Sequence, residues 1–341
     1  MTTPRIAIGL PGTPGVPEMM RIARRAEDLG YESVWVAETR FTRDAMTTAA
    51  AVALATERVG IGTAVVNPVT RGAVLTAISF ATLDELSGGR AILGIGPGSP
   101  HILGKQGFGF DKPLTRMREC LDVTRMLLRG ESVTYHGETI SVRDVRLDFW
   151  PVRPSMPVYF GVTGPRALEL AGETADGVIL NGYTSADYAR RAVERVKAGA
   201  ERAGRNPEEV DIASFVAVSM DDDAAKARDA IRPLVATYLA NFPNIAREAA
   251  VEGGVLGAIR RAFDRGGADA AAEHVADDVL DLLVCAGTPA QCRKRMAERR
   301  AAGVSLPIVG LAFGDLDAVL EELSPSAAGL GSLLGSPSAT G

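Results

Sequence analysis

Three stretches of the chain carry residue types that could do chemistry. The apolar run "SVWVAE" (33–38) ends in Glu38, with Thr39 next. A carboxylate closing a buried strand can donate a proton or anchor a polar ring. It can equally be a rim partner for Arg40 or Arg43. The second stretch, "GIGPGSPH" (94–101), follows the apolar "RAIL" and brings Gly96, Gly98, Ser99 and His101 to the end of a strand. It is not a dinucleotide fingerprint: the spacing is G-x-G-x-G, Ser99 stands where a third glycine would be, and Pro97 removes a backbone donor. Small residues there instead let a flat ring approach. The third, "GVTGPR" (161–166), has Gly161 and Gly164 around a helix start, Pro165 suited to a first helical position, the Thr163 hydroxyl and the Arg166 cation. Amides at a helix N-terminus beside a cation make a phosphate seat, and the same residues also make a tight turn. Glu38, Thr39 and His101 are the candidates for proton transfer; His101 can also be read as a solvated loop residue.

These residues need elements to bring them together. Apolar strand-like runs at 5–10, 33–38, 59–67, "GGRAILGIG", 158–162, 176–182, 210–220 and 306–313 alternate with helical patterns, among them 45–56, 113–129, 165–175, 185–203 and 315–323. Runs such as "VWVA" and "VILN" are apolar on both faces, as strands of a covered parallel sheet must be. Eight such units predict a closed (β/α)8 barrel, in which every strand's carboxyl end faces one mouth; an open doubly wound sheet is the alternative. The fourth strand of eight is then the wrong place for a nucleotide fingerprint, and "GPGSPH" becomes one wall of the mouth. The rhythm breaks twice. Residues 132–157, rich in β-branched types around His136-Gly137, read as a hairpin insertion after the fourth strand. Residues 221–300 read as a long helical region before the eighth. A single domain over 1–325 with a flexible Ser/Gly/Pro-rich tail at 326–341 follows. Asp221, Asp222 and Asp223 read as a helix cap.

Composition removes several classes. The chain has 341 residues, 46% hydrophobic and 23% charged, with a net charge of −5, which argues against nucleic acid as a partner. No apolar run approaches the roughly 18 residues of a membrane span, and the amino terminus lacks a signal-peptide pattern. Cys120, Cys285 and Cys292 form no C-x-x-C pair, which suits a reducing cytoplasm. Only His101, His136 and His274 are available as imidazoles, far apart and without H-E-x-x-H, so no metal site is expected.

The segments "AEDLGYESVWVAETRFTRD" (26–44), "VGIGTAVVNPVTRGAVLTAISFATLDELSGGRAILGIGPG" (59–98), "YHGETISVRDVRLD" (135–148), "PVYFGVTGPRALELAGETADGVILNG" (157–182) and "AGTPAQCRKRMAERRAAGV" (286–304) resemble the luciferase-like flavin and deazaflavin oxidoreductases. The nearest branch is that of the methylenetetrahydromethanopterin reductases and their relatives that use coenzyme F420. The resemblance implies a barrel with an insertion after strand four, a homodimer, and a non-proline cis peptide in strand three at Ala64–Val65. It implies ring contacts from Glu38, Ala64, Val65 and Asn67, with Gly98 and Ser99 close by, and a phosphate resting on Val162, Thr163 and Gly164. Where the sugar-phosphate dehydrogenase branch has a histidine and a glutamate, this chain has Thr39 and Ser99. Threonine is a poor general base, which points to a reductase delivering hydride to an activated C=C or C=N bond of a small molecule. A two-component FMN monooxygenase and a non-catalytic flavin-binding barrel are the competing readings.

Overall fold

The computed structural model describes residues 4–38 and 41–327. Along the chain come β1 (Ala7–Leu10), α1 (Val16–Asp28), β2 (Ser33–Val36), α2 (Ala45–Ala55), β3 (Gly60–Thr63), α3 (Ala73–Ser87) and β4 (Ala91–Ile95). Then follow α4 (Pro100–Lys105), α5 (Pro113–Leu128), the antiparallel pair β5 (Val133–His136) and β6 (Ser141–Val145), β7 (Val158–Gly161), α6 (Pro165–Thr174), β8 (Gly177–Leu180), α7 (Ala186–Arg202) and β9 (Asp211–Met220). The last part holds α8 (Ala224–Asn241), α9 (Pro243–Glu248), α10 (Gly253–Ala272), α11 (Asp277–Leu283), β10 (Cys285–Gly287), α12 (Pro289–Ala301), β11 (Leu306–Gly314) and α13 (Leu316–Glu322). Strands β1, β2, β3, β4, β7, β8, β9 and β11 pair in parallel, and the β8–β9 pairing closes them into an eight-stranded barrel.

Two regions differ from the sequence expectation. The long helical region contains a strand, β10, which pairs with Val218–Met220 of β9. Three residues are too few for a periodic signal. The second half of β9 overhangs the barrel and offers β10 an edge, since β8 reaches only to Ser214. The glycine-rich gap after β4 is partly helical: Ser99 precedes α4 and Pro100 opens it. The expected cap is present, Asp223 accepting from the Ala225 and Lys226 amides at the start of α8. All three cysteines are buried and free. Most of the expected tail, residues 328–341, lies outside the described residues, and no described helix is long and apolar enough to cross a membrane.

The barrel interior is filled by setting rings of some strands against bare glycines of others. Trp35 on β2 lies where a Cβ on Gly62 of β3 would come within 2.4 Å of its ring. Tyr159 on β7 occupies the space beside Gly177 of β8 in the same way, at 2.4 Å, and Phe215 on β9 the space beside Gly9 of β1, at 2.3 Å. The Trp35 and Tyr159 rings meet edge to face at 5.1 Å. Below them a polar knot closes the amino-terminal end: Asp211 accepts from Arg5, from the Tyr159 hydroxyl at 2.7 Å and from Ser305. Burial works against this carboxylate, yet those donors hold Asp211 below its usual range. A second apolar core lies under α8–α11 and reaches the barrel through Tyr183 and Ala217.

The hairpin is fastened at its tip by one side chain. Glu119 of α5 is buried and accepts from the amides of Glu138, Thr139 and Ile140 and from the Thr139 hydroxyl. Burial alone would raise its pKa, but these four donors bring it below the usual carboxylate range. A lowered folded pKa makes this contribution full above the ordinary carboxylate value and lost as pH falls through the folded one. Glu119→Ala should therefore cost about 2–3 kcal/mol in urea unfolding at pH 7 and much less near pH 2. A cost that does not vary with pH would count against the clamp. Gly62→Ala should cost about 1–3 kcal/mol by overpacking, whereas Gly104→Ala, which has nothing within 4 Å, should stay within about 0.5 kcal/mol.

Candidate active site

The carboxyl ends of β2, β3, β4 and β7 meet around one side chain. Past the regular end of β3 the chain keeps bonding to both neighbours: the Ala64 amide donates to Val36 of β2 at 2.8 Å, and the Val66 amide to Gly94 of β4 at 3.0 Å. The Ala64–Val65 peptide between them is cis, at the bond the resemblance implied. Val65 packs over Gly161 and Gly96, where added Cβ atoms would stand 2.7 and 2.6 Å from its methyls. It joins Ala64, Trp35 and Tyr159 in the interior cluster and tops the column of rings. Gly96 and Gly161 thus make room for Val65.

Asn67 builds the next turn. Its Oδ1 accepts from the amides of Val69 and Thr70, its Nδ2 donates to the Thr70 hydroxyl, and its carbonyl accepts from the Arg71 amide. The turn delivers Arg71 into the mouth. The Arg71 guanidinium is 3.5 Å from Glu38 Oε1 and contacts Asp44 directly. Glu38 is only 8% exposed and Arg71 15%, while Asp44 is 43% exposed. Among the described residues, Glu38 Oε2 and Arg71 Nε are buried with no hydrogen-bond partner.

Burial raises the pKa of Glu38, and Asp44 adds to the rise against the opposing pull of Arg71. Asp44 is itself buried enough to be pushed up, but the Thr47 amide, at 2.7 Å, and Arg71 bring it below its usual range. The two carboxyls therefore diverge: Asp44 is the anion that caps α2, and Glu38 is shifted toward its protonated form. Arg43, one of the two rim partners expected for Glu38, instead donates to the carbonyls of Gly12 and Thr13. The other, Arg40, and the candidate Thr39 lie outside the described residues.

At β7 the phosphate-seat candidates are laid out as a helix entrance. Val162 is buried, and Gly164 precedes α6 with no side-chain cap and nothing within 4 Å of an added Cβ. The Thr163 carbonyl accepts from the Tyr188 hydroxyl of α7 at 2.7 Å, which pins the loop. Arg166 is exposed on the first turn. Gly98, in the left-handed region (φ 81), turns the chain above Asn67 and Leu103. Ser99 makes no capping hydrogen bond, and His101 is exposed on α4. The structure therefore gathers Glu38, Ala64, Val65, Asn67, Gly96 and Gly161, sets Val162–Gly164 at a helix start, and leaves His101 on the surface. Sequence reasoning missed Arg71, whose signal was its place in "NPVTR", and Tyr188, which carries none. Beside the Asn67–Arg71 turn, the hairpin's Thr139–Val142 lines an open pocket of about 330 Å³ with Val69, Gly72 and Arg116.

The sequence pattern of luciferase-like monooxygenases matches residues 1–306. The chain belongs to that family. Within it, the chain is 36% identical over 318 residues to the 5,10-methylenetetrahydromethanopterin reductase of Methanolobus tindarius, covering 91% of this chain and 95% of that one. It is 34% identical over 302 residues to the enzyme of the same name from Archaeoglobus fulgidus, covering 87% and 90%. The coenzyme F420-dependent tetrahydromethanopterin reductase from Methanopyrus kandleri superimposes with a TM-score of 0.88 at 28% identity, over 95% of this chain and 98% of that one. Such agreement along the whole barrel covers the insertion and the helical region as well.

The Tyr188 tether can be tested directly. Tyr188→Phe removes one buried hydrogen bond worth about 1 kcal/mol. Amide exchange at Thr163 and Gly164 should then quicken about fivefold while exchange in β7 stays unchanged. Equal acceleration in both would mean that the hydroxyl supports the barrel and not the loop.

Proposed function

We propose that the chain is a coenzyme F420-dependent reductase that saturates an activated C=C or C=N bond of a small organic molecule. The observation that carries this reading is Glu38: a buried carboxyl at the barrel mouth, with Oε2 unpartnered among the described residues and its pKa raised. The dependence on F420 is supported by the relatives, whose names include F420-dependent tetrahydromethanopterin reductase. The residues present suit such a group. The shelf of Ala64 and Val65 would take the back of a flat ring, with Asn67, Gly96, Gly98, Ser99 and Gly161 near it. The uncapped start of α6, at Val162, Thr163 and Gly164 with Arg166 outside, would take a phosphate.

When bound, reduced F420 supplies a hydride and reacts poorly with oxygen. Glu38 supplies the proton to the other atom of the double bond, so that hydride and proton together saturate it, and the carboxylate left behind is stabilised by Arg71. Val65 and the ring column beneath it hold the reactants in place and keep water from below.

Titration of the purified protein with F420 and, separately, with FMN should give micromolar F420 binding and little FMN binding, read by fluorescence quenching and anisotropy. Tight FMN binding without F420 binding would overturn the reading in favour of oxygen-dependent oxidation. Glu38→Gln should lower kcat about 100-fold or more while changing the F420 Kd far less.

A further inference from the structure

We infer that Arg71 is a positioning residue whose guanidinium is shared between Glu38 and Asp44 and decides whether Glu38 stands as an acid or as a carboxylate. This rests on Glu38 being the proton donor. The geometry is that of a cation with two competing anions. Arg71 contacts Asp44 directly and reaches Glu38 Oε1 at 3.5 Å, the outer limit of a hydrogen bond. Its Nε and the Glu38 Oε2 are both buried without partners among the described residues. The cation is thus committed to Asp44 and only loosely to Glu38, which leaves unused a donor on one side and an acceptor on the other.

The second, independent feature is the fixing of all three groups from separate elements. Asp44 is locked by the Thr47 amide at the start of α2. Arg71 is delivered by the Asn67 turn, and its carbonyl accepts from the Thr76 hydroxyl at 3.1 Å. Glu38 comes from the end of β2. From α2, Asp44 and the Ala45 amide act on Glu38; from the turn after β3, Arg71 acts on it. The nearby Arg43 is engaged by Gly12 and Thr13 of the loop after β1. When Glu38 gives up its proton, the guanidinium already beside it can turn toward the new charge, because Asp44 is exposed enough for water to replace the cation there.

The two neighbours act on Glu38 with opposite sign. Removing Arg71 withdraws the stabilising cation and should raise the pH at which Glu38 ionises. Removing the Asp44 charge takes away a repelling anion and frees the guanidinium, which should lower it. Asparagine retains the capping oxygen at position 44.

The test is an infrared titration of the Glu38 carboxyl C=O band in the unliganded protein, with Glu38→Gln as the blank, for wild type, Arg71→Gln, Arg71→Lys and Asp44→Asn. The expected midpoint rises by about one pH unit or more in Arg71→Gln, falls in Asp44→Asn and returns most of the way in Arg71→Lys. The alkaline limb of kcat should move with it. Midpoints that stay put in both variants, or move in the same direction, would overturn the inference. If Glu38→Gln leaves the alkaline limb intact, Glu38 is not the donor; the infrared midpoints still decide the coupling to Arg71.

Discussion

Everything at the mouth rests on how the inside of the barrel is filled. Eight short strands leave a bore that must be packed solid, and this chain does so with three rings set against three glycines: Trp35 with Gly62, Tyr159 with Gly177, Phe215 with Gly9. Because each ring needs a bare glycine facing it in the bore, the rings cannot be redistributed one at a time. The column they form is sealed below by the Arg5–Asp211–Tyr159 knot and topped by Val65. The height of that column sets the depth of the mouth beside Glu38.

The electrostatics follow from this depth. A carboxyl at the rim of a dry, packed bore is poorly hydrated, so its neighbours count for more than they would on an open surface. Asp44 is half in solvent and keeps its charge; Glu38 is not and is pushed toward the protonated form. Two acidic residues six positions apart thus acquire different duties from their surroundings alone. Arg71 sits between them because the Asn67 side chain is spent on the turn that carries it. That assigns Asn67 a structural task ahead of any contact with a ligand.

Much of this could be read from the residues. Apolar runs flanked by glycine placed all eight barrel strands within a few residues, and the acidic end of "SVWVAE" pointed to the mouth as soon as the barrel was inferred. What could not be read has physical causes. β10 is set by an edge that exists only once β9 overhangs the barrel, a tertiary fact with no local pattern. Arg71 lies in sequence 33 residues from Glu38, and nothing in its own turn says which carboxylate it will find. Arg43, five residues from Glu38, was the nearer guess in sequence but is turned away by two backbone carbonyls. The glycines of "GIGPGSPH" and "GVTGPR" drew attention as ligand loops, yet Gly96 and Gly161 are bare because a valine stands on them.

The strand β9 belongs to two cores at once. It is barrel wall along its length, paired with β11 out to Met220, and Ala217 also packs into the separate apolar cluster beneath α8–α11. The two cores share few side chains, so substitutions in one should add to those in the other with little interaction energy. A lineage carrying this fold can therefore reshape residues 224–283 through many steps, each judged on its own cost.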